Sequence, residues 1–152
     1  MKTIVALVDF SDSTSKVLNY TLKLATAFRS QVILLHIVPP EIPVAAYGAE
    51  VPPIPVDPSP DTLRANQMKL DVLLESCTRQ GLDARAVQSR GAISETALAE
   101  ISHLNADLVV MGAHHHNALY HFFVGSTSAD VLKHATFPLL LIPCDVSEPE
   151  GE

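Results

Sequence analysis

The chain has 152 residues, 47% of them apolar and 18% charged, which suits one globular domain with a sizeable core rather than a disordered chain. A net charge of −7, with only 10 Lys+Arg and no basic run, argues against a nucleic-acid surface and leaves any anionic ligand to be held largely by backbone amides. No apolar stretch approaches the roughly 20 residues of a membrane span, and the apolar start, Ile4 to Val8, is too short for a signal peptide and ends at Asp9. The expectation is a soluble, cytoplasmic protein whose two cysteines, Cys77 and Cys144, are reduced and buried.

Residues 2–9 hold an unbroken apolar run without a period of two, the pattern of a central parallel strand covered on both faces. Ser11, Asp12 and Ser13 then offer N-cap oxygens. Val17, Leu18, Thr21, Leu22, Ala25 and Phe28 follow at helical spacing. Lys16, Asn19, Lys23 and Arg29 face away, the last two toward the C-terminal end, where the helix dipole favours cations. A second apolar run, residues 32–38, completes a βαβ unit. Residues 39–60 carry eight of the 11 prolines. Such a segment can form neither a central strand nor a helix interior, so it reads as a long loop, either a plain surface insertion or a lid or partner-contact arm.

Residues 61–80 return to helix, with an apolar stripe of Leu63, Leu70, Leu73, Leu74 and Cys77, and Gly81 in the C′ position. Residues 83–90 alternate, with Ala84, Ala86 and Gln88 on one side and Arg85 and Val87 on the other, which predicts a less buried strand. Gly91 turns the chain. Ser94 is the expected cap of a short helix carrying Ala97, Leu98, Ile101 and Leu104. A strand over residues 108–111 stops at Gly112 and a histidine-rich loop follows. A helix from about Ser126 to His134 and a last strand over residues 139–142 close the fold. The alternation predicts an α/β fold, a single-domain doubly wound five-stranded parallel sheet with helices on both faces and right-handed crossovers. In such sheets ligands bind beyond the carboxyl ends of the strands, where strand order reverses, and Asp9, Ile37 with Val38, and Gly112 all stand at such ends.

Gly112 and Gly125-Ser126 bound the histidine loop. A glycine after a strand permits a sharp turn and close ligand approach, and a glycine and hydroxyl at a helix start present N–H and O–H groups to a phosphate. Many α/β loops share this spacing, so it is not diagnostic alone. There is no G-x-x-x-x-G-K-[ST] and no G-x-G-x-x-G after the first strand, where V-D-F-S-D stands, which sets aside P-loop hydrolysis and the usual dinucleotide site. Read with its flanks, the loop resembles the signature of the universal stress protein family's nucleotide-binding branch, G-x2-G-x9-G-[ST]. Here that signature is Gly112-A-H-His115, nine residues, then Gly125-Ser126. The opening Val8-Asp9-Phe10-Ser11, the segment Leu34-Leu35-His36-Ile37-Val38 and the closing Pro138-Leu-Leu-Leu-Ile-Pro143 match as well. The resemblance spans nearly the whole chain, with residues 39–60 least typical. It implies a Rossmann-like, adenine nucleotide alpha-hydrolase-like domain over residues 1–145, followed by an acidic tail over 146–152.

The resemblance also implies a stress-response protein that binds ATP or AMP, with Mg²⁺ as a possible companion of ATP. Asp9 would contact the nucleoside and the Ile37 backbone would read the adenine edge. Gly112, Gly125, Ser126 and Thr127 would form the phosphate side, with His115 at the altered position, and Val8, Met111 and His114 would also contact the nucleotide. His115 replaces the second signature glycine. A Cβ there opposes positive φ and the ring can fill the phosphate space, or an imidazole N–H can donate to a phosphate oxygen. Two functions therefore stand side by side, an adenine-nucleotide binder and a nucleotide-free dimerisation or interaction protein with His115 blocking the site. The resemblance implies a homodimer through residues 139–142, an apolar segment otherwise prone to aggregation. No nucleic-acid or membrane partner is expected. Hydrolysis should be slow at most, since no general base and no arginine stands near the loop.

Other residues read more plainly. His114, His115, His116 and His121 lack a carboxylate or cysteine to complete a metal set, and neighbours in an extended segment point to opposite sides, so no metal is expected. His36 reads as a satisfied core histidine, and Asp9 could simply cap the first helix. His103 and His134 suit helix ends. Phe122, Phe123 and Val124 should tuck into the core or an interface, and Cys144 has no neighbour to activate it.

Overall fold

The computed structural model describes residues 1–43, 52, 54–113 and 126–143. Nine elements alternate along them: β1 (Thr3–Leu7), α1 (Thr14–Phe28), β2 (Gln31–Val38), α2 (Pro60–Arg79), β3 (Ala84–Arg90), α3 (Ile93–His103), β4 (Leu108–Ala113), α4 (Ser126–His134) and β5 (Leu139–Pro143). The strands form one parallel sheet in the order β3-β2-β1-β4-β5. The expected α/β doubly wound architecture is what the chain adopts.

The sequence pattern explains the layering. Alternate residues of the central strands feed two separate cores. Ile4, Ala6, Val32, Leu34, Leu108 and Val110 face α1 and α2, whose Val17, Leu22, Leu70 and Cys77 complete that core. Val5, Ile33, Leu35, Ile37 and Val109 face α3, through Ala97 and Ile101, and α4 packs on that side against α3 and β4. Strands buried on both faces cannot alternate apolar with polar, which is why β1, β2 and β4 read as continuous apolar runs. β3 is an edge strand and only half-buried, as its alternation predicts. Full burial of Leu70 alone contributes about 1.5–3 kcal/mol.

Strand starts and helix ends are fixed by specific hydrogen bonds. Asp107 Oδ2 accepts from the backbone N–H of Lys2 (2.6 Å) and Thr3 (2.9 Å), pinning the entry of β1 beside β4. The Thr3 and Lys2 amides, in that order, hold the Asp107 carboxyl below its ordinary pKa. Ser59 caps α2 by accepting from Thr62 N–H at 3.1 Å, and Pro60 occupies the first helical turn, where a missing N–H costs nothing. Gly81 follows that helix at φ +73°, the left-handed conformation expected of it. Cys77 is fully buried, and burial pushes its thiol pKa up. No helix among the described residues is long and apolar enough to cross a membrane.

Several local expectations are corrected. α1 ends at Phe28, which is half exposed (52%) rather than part of the core stripe, and Arg29 follows in the left-handed conformation as the C-cap. Ser13 is the N-cap residue of α1 but makes no side-chain cap bond, because the turn's side chains gather on Asp9 instead. α3 begins at Ile93, so Ser94 sits inside the first turn and Ala92 holds the cap position. Pro60 belongs to α2, and Glu41 and Val56 exchange both backbone hydrogen bonds in an antiparallel bridge that joins the ends of the proline-rich segment. β4 continues through Gly112 to Ala113 because β5 supplies pairing partners there, Ile142 and Pro143. Gly112 is therefore a strand residue and not the turn after a strand.

Candidate functional site

β1 and β4 are neighbours in the sheet, yet β1 leads to α1 on one face and β4 leads toward α4 on the other. The chain diverges between their carboxyl ends and leaves a crevice, the place where open α/β sheets hold ligands. A cavity of about 120 Å³ occupies it. Leu7, Val8 and Asp9 enter it from the end of β1, and Ser13, Thr14 and Val17 from the first turns of α1. His36 and Ile37 come from β2, Met111 and Gly112 from β4, Thr127 and Ser128 from α4, and Ile93 from the start of α3. A wider groove between α1 and α2 adjoins the cavity at the β1–α1 turn, sharing Thr14, and includes Phe10 and Lys69.

The β1–α1 turn is built around Asp9. Its Oδ1 accepts from Ser11 N–H (3.0 Å) and Ser11 Oγ (2.6 Å), with Thr14 Oγ1 at 3.4 Å. Phe10 sits at φ +61°, an uncommon conformation for a bulky side chain and a local strain. Its ring compensates by packing on His36, with centroids 4.2 Å apart, and the Lys69 ammonium lies 5.3 Å from the same ring. The turn is thus held from inside by an aromatic contact and from outside by a carboxylate.

His36 is 7% exposed, and its Nδ1 lies 2.7 Å from the Val8 carbonyl oxygen. A carbonyl only accepts, so Nδ1 carries the proton and donates. Burial lowers the imidazole pKa from its ordinary 6.5. The Val8 carbonyl and the Asp9 carboxylate oppose that shift, and the Lys69 charge adds to it. The ring is neutral at pH 7, with Nε2 unprotonated. The core histidine expected at this position is therefore present, satisfied at Nδ1 only, and it also borders the cavity. On the opposite wall Ser128, 3% exposed, donates from Oγ to the Gly112 carbonyl at 3.0 Å and ties the start of α4 to β4.

Of the residues singled out from sequence, Val8, Asp9, Ile37, Met111, Gly112 and Thr127 all line this one cavity, although they come from four separate segments. Ser126 opens α4. His114, His115 and Gly125 lie outside the described residues, as do His116, His121, Phe122, Phe123, Val124 and Cys144. Ser13, Thr14, Val17, His36, Ile93 and Ser128 line the cavity without having been singled out for it. Proximity in sequence held a signal for some of them. Ser13 and Thr14 follow Asp9 closely, His36 precedes Ile37, and Ser128 follows Thr127. Ile93, an apolar helix-start residue, had no such signal. Among the described residues no group of three or more His, Cys, Asp or Glu side chains is placed to hold a metal.

The family model described as the universal stress protein family matches residues 1–143. This chain belongs to that family. No curated protein matches it. Solved structures share the universal stress protein fold at low identity. One from Archaeoglobus fulgidus aligns with TM-score 0.72 at 16% identity, covering 93% of this chain and 98% of its own. A universal stress protein from the same organism in complex with dAMP aligns with TM-score 0.69 at 17% identity, covering 93% and 97%. A family member from Arabidopsis thaliana with AMP bound gives TM-score 0.65 at 18% identity, covering 97% and 95%.

Proposed function

We propose that this universal stress protein binds an adenine nucleotide, with the nucleoside in the cavity between Asp9 and Gly112 and the phosphates directed toward the start of α4. One observation carries the reading. Residues picked out in the sequence as strand ends or through the family resemblance, among them Asp9, Ile37, Gly112 and Thr127, line a single cavity at the strand-order reversal. The relatives that hold dAMP or AMP support the ligand class.

Each part has a physical role. Asp9 offers a carboxylate to ribose hydroxyls, Ile37 offers strand-end backbone to the base edge, and the amides opening α4 offer N–H groups and a helix dipole to phosphate. ATP or AMP fits this division equally, with Mg²⁺ accompanying ATP. The protein acts as a cytoplasmic sensor or carrier and hydrolyses ATP slowly at most. Among the described residues, Lys16 donates from Nζ to the Pro143 carbonyl at the end of β5, at 3.2 Å. Dimerisation through β5, an edge strand paired only to β4 among the described strands, would cover its unpaired backbone.

A second reading has its own support. A cavity of about 120 Å³ is small beside the roughly 300–1,000 Å³ of many ligand sites, which favours a nucleotide-free dimerisation or interaction protein. Calorimetric titration of wild type and His115→Gly with ATP and AMP separates the two. The nucleotide reading expects saturable binding by wild type. Absence of wild-type binding, with affinity gained by His115→Gly, would sink it in favour of the blocked site.

A further inference from the structure

The reading of a base in this cavity leaves open what tells one purine from another, and His36 supplies an answer. Its Nδ1–H is engaged by the Val8 carbonyl, and Phe10 covers one face of the ring. Among the described residues no group hydrogen-bonds Nε2. The ring nevertheless borders the cavity, beside Ile37. With its first nitrogen committed as a donor, a neutral imidazole has only an acceptor to offer at the second.

We propose that His36 Nε2 is a specificity-determining group, accepting a hydrogen bond from the exocyclic amine of the base and so favouring 6-amino over 6-oxo purines. This rests on the nucleotide reading above and goes beyond it, because recognition by the Ile37 backbone alone needs no histidine. A 6-oxo purine would set a carbonyl oxygen against the Nε2 lone pair, and two facing acceptors desolvate each other without gain. A site that hydrogen-bonds a ligand N–H in this way rejects the analogue lacking it far more strongly than an apolar pocket rejects a change of shape.

The same chemistry makes the selectivity depend on pH. A second proton on the ring converts Nε2 from acceptor to donor and makes a 6-oxo group acceptable. Burial delays that step below the ordinary imidazole range. The charged groups facing the ring are Asp9 from the β1–α1 turn and Lys69 from α2. Gln88, its register partner on β3, and Ser13 and Thr14 at the start of α1 are neutral.

The test compares AMP with IMP, whose phosphates titrate alike and cancel in the ratio of dissociation constants. Wild type at pH 7.5 should prefer AMP by roughly tenfold or more, and that preference should shrink once the buffer is acid enough to protonate the ring. His36→Asn keeps an amide N–H for the Val8 carbonyl but has no atom at the Nε2 position. It should bind AMP with a ratio within about threefold of unity and little pH dependence. A His36→Asn variant that keeps the full wild-type ratio would assign recognition to the Ile37 backbone and overturn the inference. A wild-type AMP-to-IMP ratio near unity at pH 7.5 overturns it even if the variant fails to fold. Failure of wild type to bind AMP at all refutes the nucleotide reading itself, and this inference with it.

Discussion

Asp9 has two candidate roles, and a pair of substitutions separates them. Its Oδ1 organises the β1–α1 turn through Ser11 N–H at 3.0 Å and Ser11 Oγ at 2.6 Å, in a position open to solvent. Asp9→Ala removes that acceptor, and loss of such a turn or cap bond costs about 0.5–2 kcal/mol. For a chain of this length that lowers the melting temperature by roughly 1–8 °C. Asp9→Asn keeps an Oδ1 in the same place, so its melting temperature should fall less. Affinity behaves differently. A hydrogen bond from a ribose hydroxyl to a carboxylate is worth about 1.5–3 kcal/mol, a loss of roughly 10- to 150-fold in Kd when the group is removed. Both variants should therefore weaken ATP, AMP and adenosine, Asp9→Ala most. The assay is calorimetric titration with the three ligands beside a thermal melt of each protein. A lowered melting temperature with unchanged affinity for all three would show that Asp9 is a cap alone, and that the nucleoside does not lie against it.

Three further outcomes follow from packing and titration. Leu70→Ala, at a fully buried position between α2 and the sheet, should destabilise the protein by about 2–5 kcal/mol with an unchanged denaturant slope in urea unfolding. Gly91→Ala should cost about 1–3 kcal/mol by the same measurement, because φ there is +142° and an added Cβ would run into Thr96 Oγ1; Thr96→Ala should relieve only the contact and not the backbone strain. His36 binds a proton less readily folded than unfolded. Its contribution is therefore complete above the unfolded value of 6.5 and is lost as pH falls through the lower folded value. Urea midpoints measured from pH 7.5 to 4.5 should fall over that window in wild type and fall less in His36→Asn.

The sheet and its helices were legible in the sequence because burial on both faces leaves a plain mark. Ile4 to Val8 and Val32 to Val38 admit no polar alternation, whereas the half-buried β3 does. What sequence could not show were features set by a distant partner. Gly112 looked like the end of a strand, yet β4 runs on because Ile142 and Pro143 of β5 happen to lie opposite. The serines before α1 looked like caps, yet the side chain that organises them, Asp9, stands at the end of the preceding strand. Phe10 carries no sequence mark of its positive φ, since the ring contact with His36 that holds it there joins β2 to the β1–α1 turn. Half of the cavity was legible for a related reason. Asp9, Ile37 and Gly112 can be placed by counting strand ends, but Ile93 reaches the cavity through the packing of α3 against α4, β2 and β3.

The crevice and the chemistry within it have different origins. Any chain that passes from β1 to a helix on one face and from β4 to a helix on the other must part between them, so the cavity follows from strand order β3-β2-β1-β4-β5 whatever side chains line it. The lining then decides what enters. With a net charge of −7 and 10 Lys+Arg in the whole chain, long-range attraction of an anion is weak. The basic residues of α4, Lys133 and His134, lie in its last turn, away from the crevice. On the proposed nucleotide reading, phosphate would be recognised at short range by the amides at the start of α4, whose dipole contributes about 0.3–1 kcal/mol, while the base and ribose would carry most of the affinity. On this division AMP should exceed adenosine in affinity by only about two- to fivefold in low salt. A preference of a hundredfold or more would mean that a cation reaches the phosphate, which would reassign the anion site from backbone to side chain.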